Sequence, residues 1–190
     1  MGYFPAFLKL QNKKVLIIGG GKIATDKLSH MLDFTKNITI ISPDLSSSMQ
    51  EFIECHNLAY LPRRFKSGDT QGFFLVIVAV DNIEVQKEVY QECQQSRTLC
   101  NAVDSVEYCD FIFPSYIKRG DLTIAISTSG ASPAFAKYLR RAIEKLLPDN
   151  LEEFLDELKN LRKTLPKGIE RMQLLDSKAK EFIQKLFKEK

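Results

Sequence analysis

The chain has 190 residues, of which 44% are hydrophobic and 27% charged, with a formal net charge of +3. This composition is typical of a globular protein that buries a core, and it excludes a disordered chain. The longest apolar run covers only Phe73 to Val80, whereas a membrane-spanning helix needs about 20 apolar residues, so no membrane partner is expected. The first residues show no secretory signal, which predicts a cytoplasmic protein.

The cysteines and histidines do not form a metal-binding pattern. The four cysteines have no Cys-x-x-Cys spacing, and His30 and His56 lie far from any paired ligand, so no metal site is predicted. Residues 133–190 carry a net charge of +4, either as the solvated face of helices or as a site for an anionic ligand. No basic stripe is interleaved with aromatic residues, so nucleic acid is not an expected partner.

Strand and helix patterns alternate through the first hundred residues. The predicted strands are Lys14–Ile18, Ile38–Ser42, Ala59–Leu61, Phe74–Ala79 and Leu99–Asn101. The predicted helices are Ile23–Thr35, then Ser48–His56 opened by a capping box at Ser48–Glu51, then Ile83–Arg97 capped by Asn82. This alternation predicts an α/β fold, a Rossmann-type doubly wound parallel sheet covered on both faces.

The pattern changes near residue 110. Two further strands are predicted at Asp110–Phe113 and Leu122–Ser127, and Ser132-Pro133 opens an amphipathic helix that runs toward Pro148. Helical patterns then begin at Asn150 and Ile169. We therefore predict a Rossmann domain that binds NAD at 1–109, a small α+β dimerisation region at 110–147 and a helical C-terminal domain at 148–190.

A glycine-rich turn follows the first predicted strand and opens the first predicted helix. Gly19, Gly21 and Ala24 fit the dinucleotide fingerprint G-x-G-x-x-G/A in the strand-turn-helix context that this motif requires. The glycines allow a tight turn and a close approach of a pyrophosphate to the helix N-terminus. The alternative is a merely flexible turn without a ligand.

The ends of the second and fourth strands supply further candidate cofactor contacts. Pro43 and Asp44 follow the second strand, and no Lys or Arg lies between Ile38 and Met49 to pair with the extra phosphate of NADP, which favours NAD. Asp44 is otherwise a turn residue after a proline. The candidates after the fourth strand are Val80, Asp81 and Asn82. Asp81 and Asn82 are equally well explained as helix caps.

Several ordered motifs together resemble one family. They are Tyr3–Leu10, Asn101-Ala102-Val103-Asp104, Cys109–Ser115 and Leu122–Pro133. These segments are similar to the precorrin-2 dehydrogenase/sirohydrochlorin ferrochelatase family, the first module of siroheme synthases. The resemblance implies NAD-dependent oxidation of precorrin-2 to sirohydrochlorin, with ferrous iron as a second substrate in members that also insert the metal.

The resemblance also implies roles for particular residues. Asp104 matches the family's catalytic aspartate, and dehydrogenation needs such a base beside the hydride acceptor; read alone, Asp104 would be a loop carboxylate. The positions that match NAD contacts are Lys22, Ile23, Pro43 and Asp44. The family's frequent Thr after the fourth strand is replaced here by Val80.

The substrate that the resemblance implies is a tetrapyrrole rich in carboxylates, which gives the basic C-terminal part an anionic partner. The candidate substrate contacts are Asn101, Thr128, Ser129, Lys137 and Arg140. Arg141 follows the same helix start, and each of these cations is alternatively an ordinary surface charge. Ser132 is expected to cap the helix rather than to bind a ligand.

Two hypotheses of different class compete. The first is an NAD-dependent dehydrogenase of siroheme synthesis, and the second is a non-enzymatic NAD-responsive sensor with a helical interaction tail. A short-chain dehydrogenase is disfavoured because no tyrosine has a lysine four residues later. We also predict a homodimer, because the two extra strands form too small a sheet to bury both faces.

Overall fold

The computed structural model describes residues 2–188, and within this range the chain forms two compact units, Tyr3–Ile112 and 113–188. The strands are β1 Val15–Ile18, β2 Ile38–Ile41, β3 Ala59–Leu61, β4 Leu75–Val78, β5 Leu99–Ala102, β6 Ser115–Arg119 and β7 Leu122–Ile126. The helices are α1 Lys22–Leu32, α2 Ser47–His56, α3 Ile83–Ser96, α4 Pro133–Glu144, α5 Leu151–Thr164 and α6 Ile169–Lys188. None of the described helices is long and apolar enough to span a bilayer.

The first unit contains the predicted Rossmann-type sheet. Its five strands are all parallel in the order β3-β2-β1-β4-β5. Every residue of β1 and β4 is buried, as expected for central strands with both faces covered by helices. The strand order reverses between β1 and β4, and open α/β sheets bind ligands outside the carboxyl ends of the strands at such a switch point.

The carboxyl ends of the central strands are aligned. Ile18 is in register with Ile41 on one side and with Val78 on the other, and Val78 is in register with Ala102. Backbone hydrogen bonds continue this ladder beyond the strands, from Ala79 N to Ile18 O at 2.8 Å and from Val103 N to Val78 O at 2.9 Å. The segments that follow four different strands therefore begin at one edge of the sheet.

The second unit contains a hairpin and three helices. The turn Gly120-Asp121 places Arg119 opposite Leu122. Ile117, in the middle of β6, is buried. Helix α4 begins at Pro133 with the predicted Ser132 cap, whose Oγ accepts from Phe135 N at 3.1 Å. Helices α5 and α6 pair through stacked rings of Phe154 and Phe182, 3.9 Å apart between centroids.

The predicted strand at Asp110–Phe113 is wrong. Asp110 instead lies alongside β5: its N–H donates to Cys100 O at 2.8 Å and its carboxylate accepts from Cys100 N at 2.8 Å. The strand that pairs with β7 begins only at Ser115, because the two-residue turn at Gly120-Asp121 fixes a one-to-one register that ends there.

The predicted capping box at Ser48 is also wrong. The N-cap of α2 is Ser46, whose Oγ accepts from Met49 N at 3.2 Å. Ser46 N also donates to Gly20 O at 2.8 Å. The helix therefore begins where the chain is bonded to the glycine turn, a contact that local sequence does not reveal.

Candidate functional site

The first two glycines of the turn are required by the packing of the protein itself. Gly19 has a φ of +128°, and a Cβ there would lie 2.3 Å from Ala79 O. A Cβ on Gly20 would lie 2.1 Å from Asp44 O, the carbonyl of the loop that follows β2. No side chain fits at either position without movement of the backbone.

Gly21 differs from its neighbours because packing does not explain it. Its φ of −82° suits any residue, and a Cβ there would meet no described atom within 4 Å. Gly21 is the N-cap of α1, and no side chain in the described part of the chain caps this helix start. The open space and uncapped amide groups fit the phosphates of a dinucleotide, which bind at helix N-termini.

Polar side chains hold this turn in place. The Thr25 hydroxyl donates to Gly21 O at 2.9 Å and lies 3.1 Å from the Ser46 hydroxyl. Thr25 and Ser46 were not among the predicted site residues. Their contact joins α1 to the start of α2, although the two residues are 21 positions apart in the sequence. The predicted contacts Lys22 and Ile23 occupy the first turn of α1, exposed beside the open space.

The loop after β2 lies directly against the glycine turn. Ser42 Oγ donates to Asp44 O at 2.6 Å, and Tyr60 OH donates to Ser42 O at 3.0 Å. The side chains of Pro43 and Asp44 are exposed. Asp44 is thus held by its backbone while its carboxylate faces solvent at the sheet edge, where a ribose contact is predicted.

A pocket of about 220 Å³ opens at the carboxyl ends of β4 and β5. It is lined by Ile23, Ala79, Val80, Asp81, Ile83, Gln86, Val103, Asp104 and Ser105. Four predicted site residues, on three separate chain segments, therefore meet in one cavity: Ile23, Val80, Asp81 and Asp104. Asn82 lies beside it as the N-cap of α3, and its Oδ1 accepts from Glu84 N and Val85 N at 3.0 and 3.1 Å.

Asp104, the predicted base, lies at the turn after β5. Its φ of +64° is in the left-handed region that non-glycine residues rarely adopt, and its side chain is exposed. Burial lowers the pKa of the half-buried Lys27 of α1, and the negative charge of Asp104 partly opposes that shift. The Asp104 carboxylate therefore lies close enough to Lys27 to interact with it electrostatically, and burial makes Lys27 easier to deprotonate.

Asn101 is buried and its amide bonds inside the protein. Its Nδ2 donates to Phe111 O at 2.8 Å and to Cys109 Sγ at 3.4 Å. Cys109 in turn donates to Ala102 O at 3.1 Å, and burial raises the pKa of its thiol. These contacts stabilise the segment on either side of Asp104, and a substrate contact by Asn101 stays a prediction.

The remaining predicted contacts belong to the second unit. Thr128 Oγ1 accepts from Ser132 N at 3.0 Å, and Ser129 has a φ of +52°, so both form the turn before α4. Lys137 is exposed, whereas Arg140 pairs with Glu144 one turn along the helix at 2.8 Å. Across residues 2–188, no group of three or more acidic, histidine or cysteine side chains could hold a metal ion.

A parallel sheet with an open glycine turn at its switch point defines a Rossmann-type nucleotide-binding protein. A family model described as NAD(P)-binding matches residues 6–115, and one described as "Sirohaem biosynthesis protein central" matches residues 119–146. The chain belongs to the precorrin-2 dehydrogenase/siroheme synthase family of NAD(P)-binding proteins, as its motifs indicate.

Individual relatives agree with this assignment. The chain is 34% identical to a siroheme synthase of Photobacterium profundum over 89% of its length and 38% identical to siroheme synthase 3 of Aeromonas hydrophila over 80%. It spans only 36% and 32% of those relatives, about a third of their length. A solved structure titled SirC, precorrin-2 dehydrogenase, matches 98% of this chain and 100% of its own, with a TM-score of 0.79 and 26% identity.

Proposed function

We propose that this protein oxidises precorrin-2 to sirohydrochlorin with NAD as the hydride acceptor. The observation that carries this proposal is the pocket that brings the start of α1, the end of β4 and Asp104 together. The likeness to a precorrin-2 dehydrogenase over nearly the whole chain supports the same activity. The pocket supplies the two elements that dehydrogenation requires, a cofactor edge and a proton acceptor.

The chain's own residues provide binding and proton transfer. The amides that open α1 would hold the pyrophosphate in the space beside Gly21, and Val80 and Asp81 would line the pocket beside the cofactor. NAD, when bound, accepts a hydride. The substrate loses that hydride and one proton, and the carboxylate of Asp104 accepts the proton.

NAD rather than NADP is the nucleotide that the loop after β2 favours. Asp44 presents a carboxylate at this edge, and Ile38 to Met49 contain no basic residue to pair with a 2′-phosphate. A carboxylate there accepts a hydrogen bond from a free ribose hydroxyl and repels a phosphate. Calorimetric titration should therefore give tighter binding of NAD, and equal or tighter binding of NADP would refute this preference.

The tetrapyrrole carboxylates are assigned to the basic second unit. Lys137 is exposed on α4, and the Thr128–Ser129 turn precedes that helix. Arg140 contributes only after release from Glu144, so Lys137 is the stronger candidate. A homodimer belongs to this proposal because the β6–β7 hairpin is small and α4 exposes Phe135, Tyr138 and Leu139.

The test is an anaerobic incubation of the whole chain with precorrin-2, with NAD, with NADP or with neither nucleotide. Sirohydrochlorin should form only with a nucleotide, and faster with NAD. Nucleotide binding without product in any arm would favour the NAD-responsive sensor instead. Supplied sirohydrochlorin with ferrous iron forms a separate arm that asks whether the metal is also a substrate.

A further inference from the structure

The pocket wall contains a buried polar side chain that has no part in the proposed reaction. Gln86, in the first turns of α3, is 6% exposed. A buried side-chain amide must have hydrogen-bond partners, since an unsatisfied one loses its bonds to water without replacement. Gln86 bonds to the segment after β4, which lines the proposed cofactor site, and to the turn that carries Asp104, the proposed proton acceptor.

The amide nitrogen of Gln86 contacts the ends of two strands. Nε2 donates to Val80 O at 2.8 Å and is 3.4 Å from Val103 O. Val80 follows β4 on the cofactor wall, and Val103 precedes Asp104. The Gln86 side-chain amide therefore fixes the spacing between the segment after β4 at Val80 and the segment that carries Asp104.

The amide oxygen of Gln86 contacts the other side of the same turn. Oε1 accepts from the hydroxyl of Ser105, the residue after Asp104. Asp104 itself has a φ of +64°, a conformation that is unfavourable for a non-glycine residue and persists only where neighbours hold it. Gln86 holds both of those neighbours, Val103 by its carbonyl and Ser105 by its side chain.

We propose that Gln86 is a positioning residue that sets the Asp104 carboxylate against the cofactor edge of the pocket. This inference rests on the proposed function. A role limited to satisfying buried carbonyl groups would affect stability only. A positioning role also predicts a loss of turnover, because a displacement of about 1 Å in a reacting group costs about 10²-fold in rate.

Two substitutions separate these roles. Gln86→Met keeps the volume and loses every hydrogen bond, so kcat should fall about 10²-fold while the KM for precorrin-2 and the affinity for NAD stay near the wild-type values. Gln86→Glu retains the acceptor for Ser105 but donates to Val80 O only when the introduced carboxyl is protonated. Its kcat relative to wild type should therefore recover as the pH falls, whereas the deficit of Gln86→Met should not.

Controls keep the result interpretable. Gln91→Met changes an exposed glutamine of the same helix and should leave kcat unchanged. Rates are divided by the folded fraction from circular dichroism. If the Gln86 variants do not fold, Ser105→Ala is the alternative, because it removes only the hydrogen bond from the Ser105 hydroxyl to Gln86 Oε1. Its kcat should fall less than that expected for Gln86→Met, at an unchanged KM.

The outcomes distinguish failure of the positioning role from failure of the proposed function. A wild-type kcat in Gln86→Met, or in Ser105→Ala where that variant replaces it, would overturn the positioning role. Equal deficits of the two Gln86 variants at every pH would do the same. A wild-type protein that forms no sirohydrochlorin would overturn the proposed function, and the inference about Gln86 with it.

Discussion

The adjacent glycines Gly20 and Gly21, which precede α1, are explained by different physical requirements. Gly20 is enclosed by the loop after β2, whereas Gly21 faces open space. Gly20 is therefore needed for folding, whereas the open space at Gly21 fits the ligand that we propose. Substitutions at Gly20 and at Gly21 can therefore test the packing of the turn and the binding of the proposed ligand separately.

Substitutions at Gly20 and Gly21 should affect different properties, the first stability and the second NAD binding. Gly20→Ala should lower the free energy of unfolding by about 1–3 kcal/mol because its Cβ overlaps Asp44 O. Gly21→Val places a poor N-cap residue at the start of α1, which should cost no more than about 1 kcal/mol of stability, and it should abolish NAD binding. Urea unfolding and calorimetric titration measure the two effects, and undiminished NAD affinity in Gly21→Val would refute the cofactor site.

Asp104→Asn should separate binding from chemistry. Asparagine tolerates the positive φ and keeps the shape of the side chain, so the variant should fold and bind NAD. Loss of the proton acceptor should lower dehydrogenation by about 10²–10⁴-fold. If iron insertion occurs, it should fall as well, because both reactions remove protons from the same tetrapyrrole.

Anaerobic absorbance assays of sirohydrochlorin and siroheme formation, run beside the wild type, measure both rates. A wild-type rate of oxidation in Asp104→Asn would exclude this residue as the base. Loss of oxidation alone would leave Asp104 as the dehydrogenase base and move metal insertion elsewhere.

The sequence revealed residues whose roles are local and missed those whose roles are tertiary. Gly19 and Gly21 were predicted because a strand, a turn and a helix follow one another within a few positions. Gln86 gave no such signal, because its partner Ser105 lies 19 positions away across two elements. Resemblance selected Asp104, whose position alone would have indicated only a loop carboxylate.

At the scale of elements, one carboxylate anchors the loop before β4 to α3. Glu92 accepts from Gly68 N at 2.8 Å and from Thr70 N at 2.9 Å, with Ser67 and Thr70 hydroxyls beside them. Burial alone would raise the pKa of Glu92, but these donors outweigh it and lower the pKa below 4.5. The ionised form therefore contributes to folding.

This contribution should depend on pH in a defined direction. It is complete above the unfolded value near 4.5 and disappears as the pH falls through the lower folded value. Glu92→Gln should cost about 1 kcal/mol at neutral pH and flatten the acid loss of stability. Urea unfolding from pH 7 to pH 3 tests this, with exposed Glu88→Gln as control; an unchanged pH slope in Glu92→Gln would contradict it.

The elements were predicted best where one signal dominated. β3 and the Asn82 cap of α3 were confirmed as predicted. The strand at Asp110–Phe113 was wrong because its apolar pattern competes with the register imposed by the turn at Gly120, and pairing partners decide a strand. Local pattern contains no information about which of two apolar segments a hairpin turn selects.

At the scale of the whole molecule, the proposed homodimer can be tested by mass in solution. Light scattering at micromolar concentration should give twice the 21.7 kDa of one chain. Leu139→Glu on the exposed face of α4 should shift the population toward the monomer, because a buried unpaired charge opposes association. A wild-type mass of one chain would contradict the dimer.

The proposed reaction couples oxidation of a tetrapyrrole to reduction of a nicotinamide at one sheet edge. The most direct measurement is the stoichiometry of NADH and sirohydrochlorin, followed together by absorbance in one anaerobic reaction with precorrin-2 and NAD. Both should appear in equal amounts at the same rate. Sirohydrochlorin without NADH, or no product despite bound NAD, would contradict it.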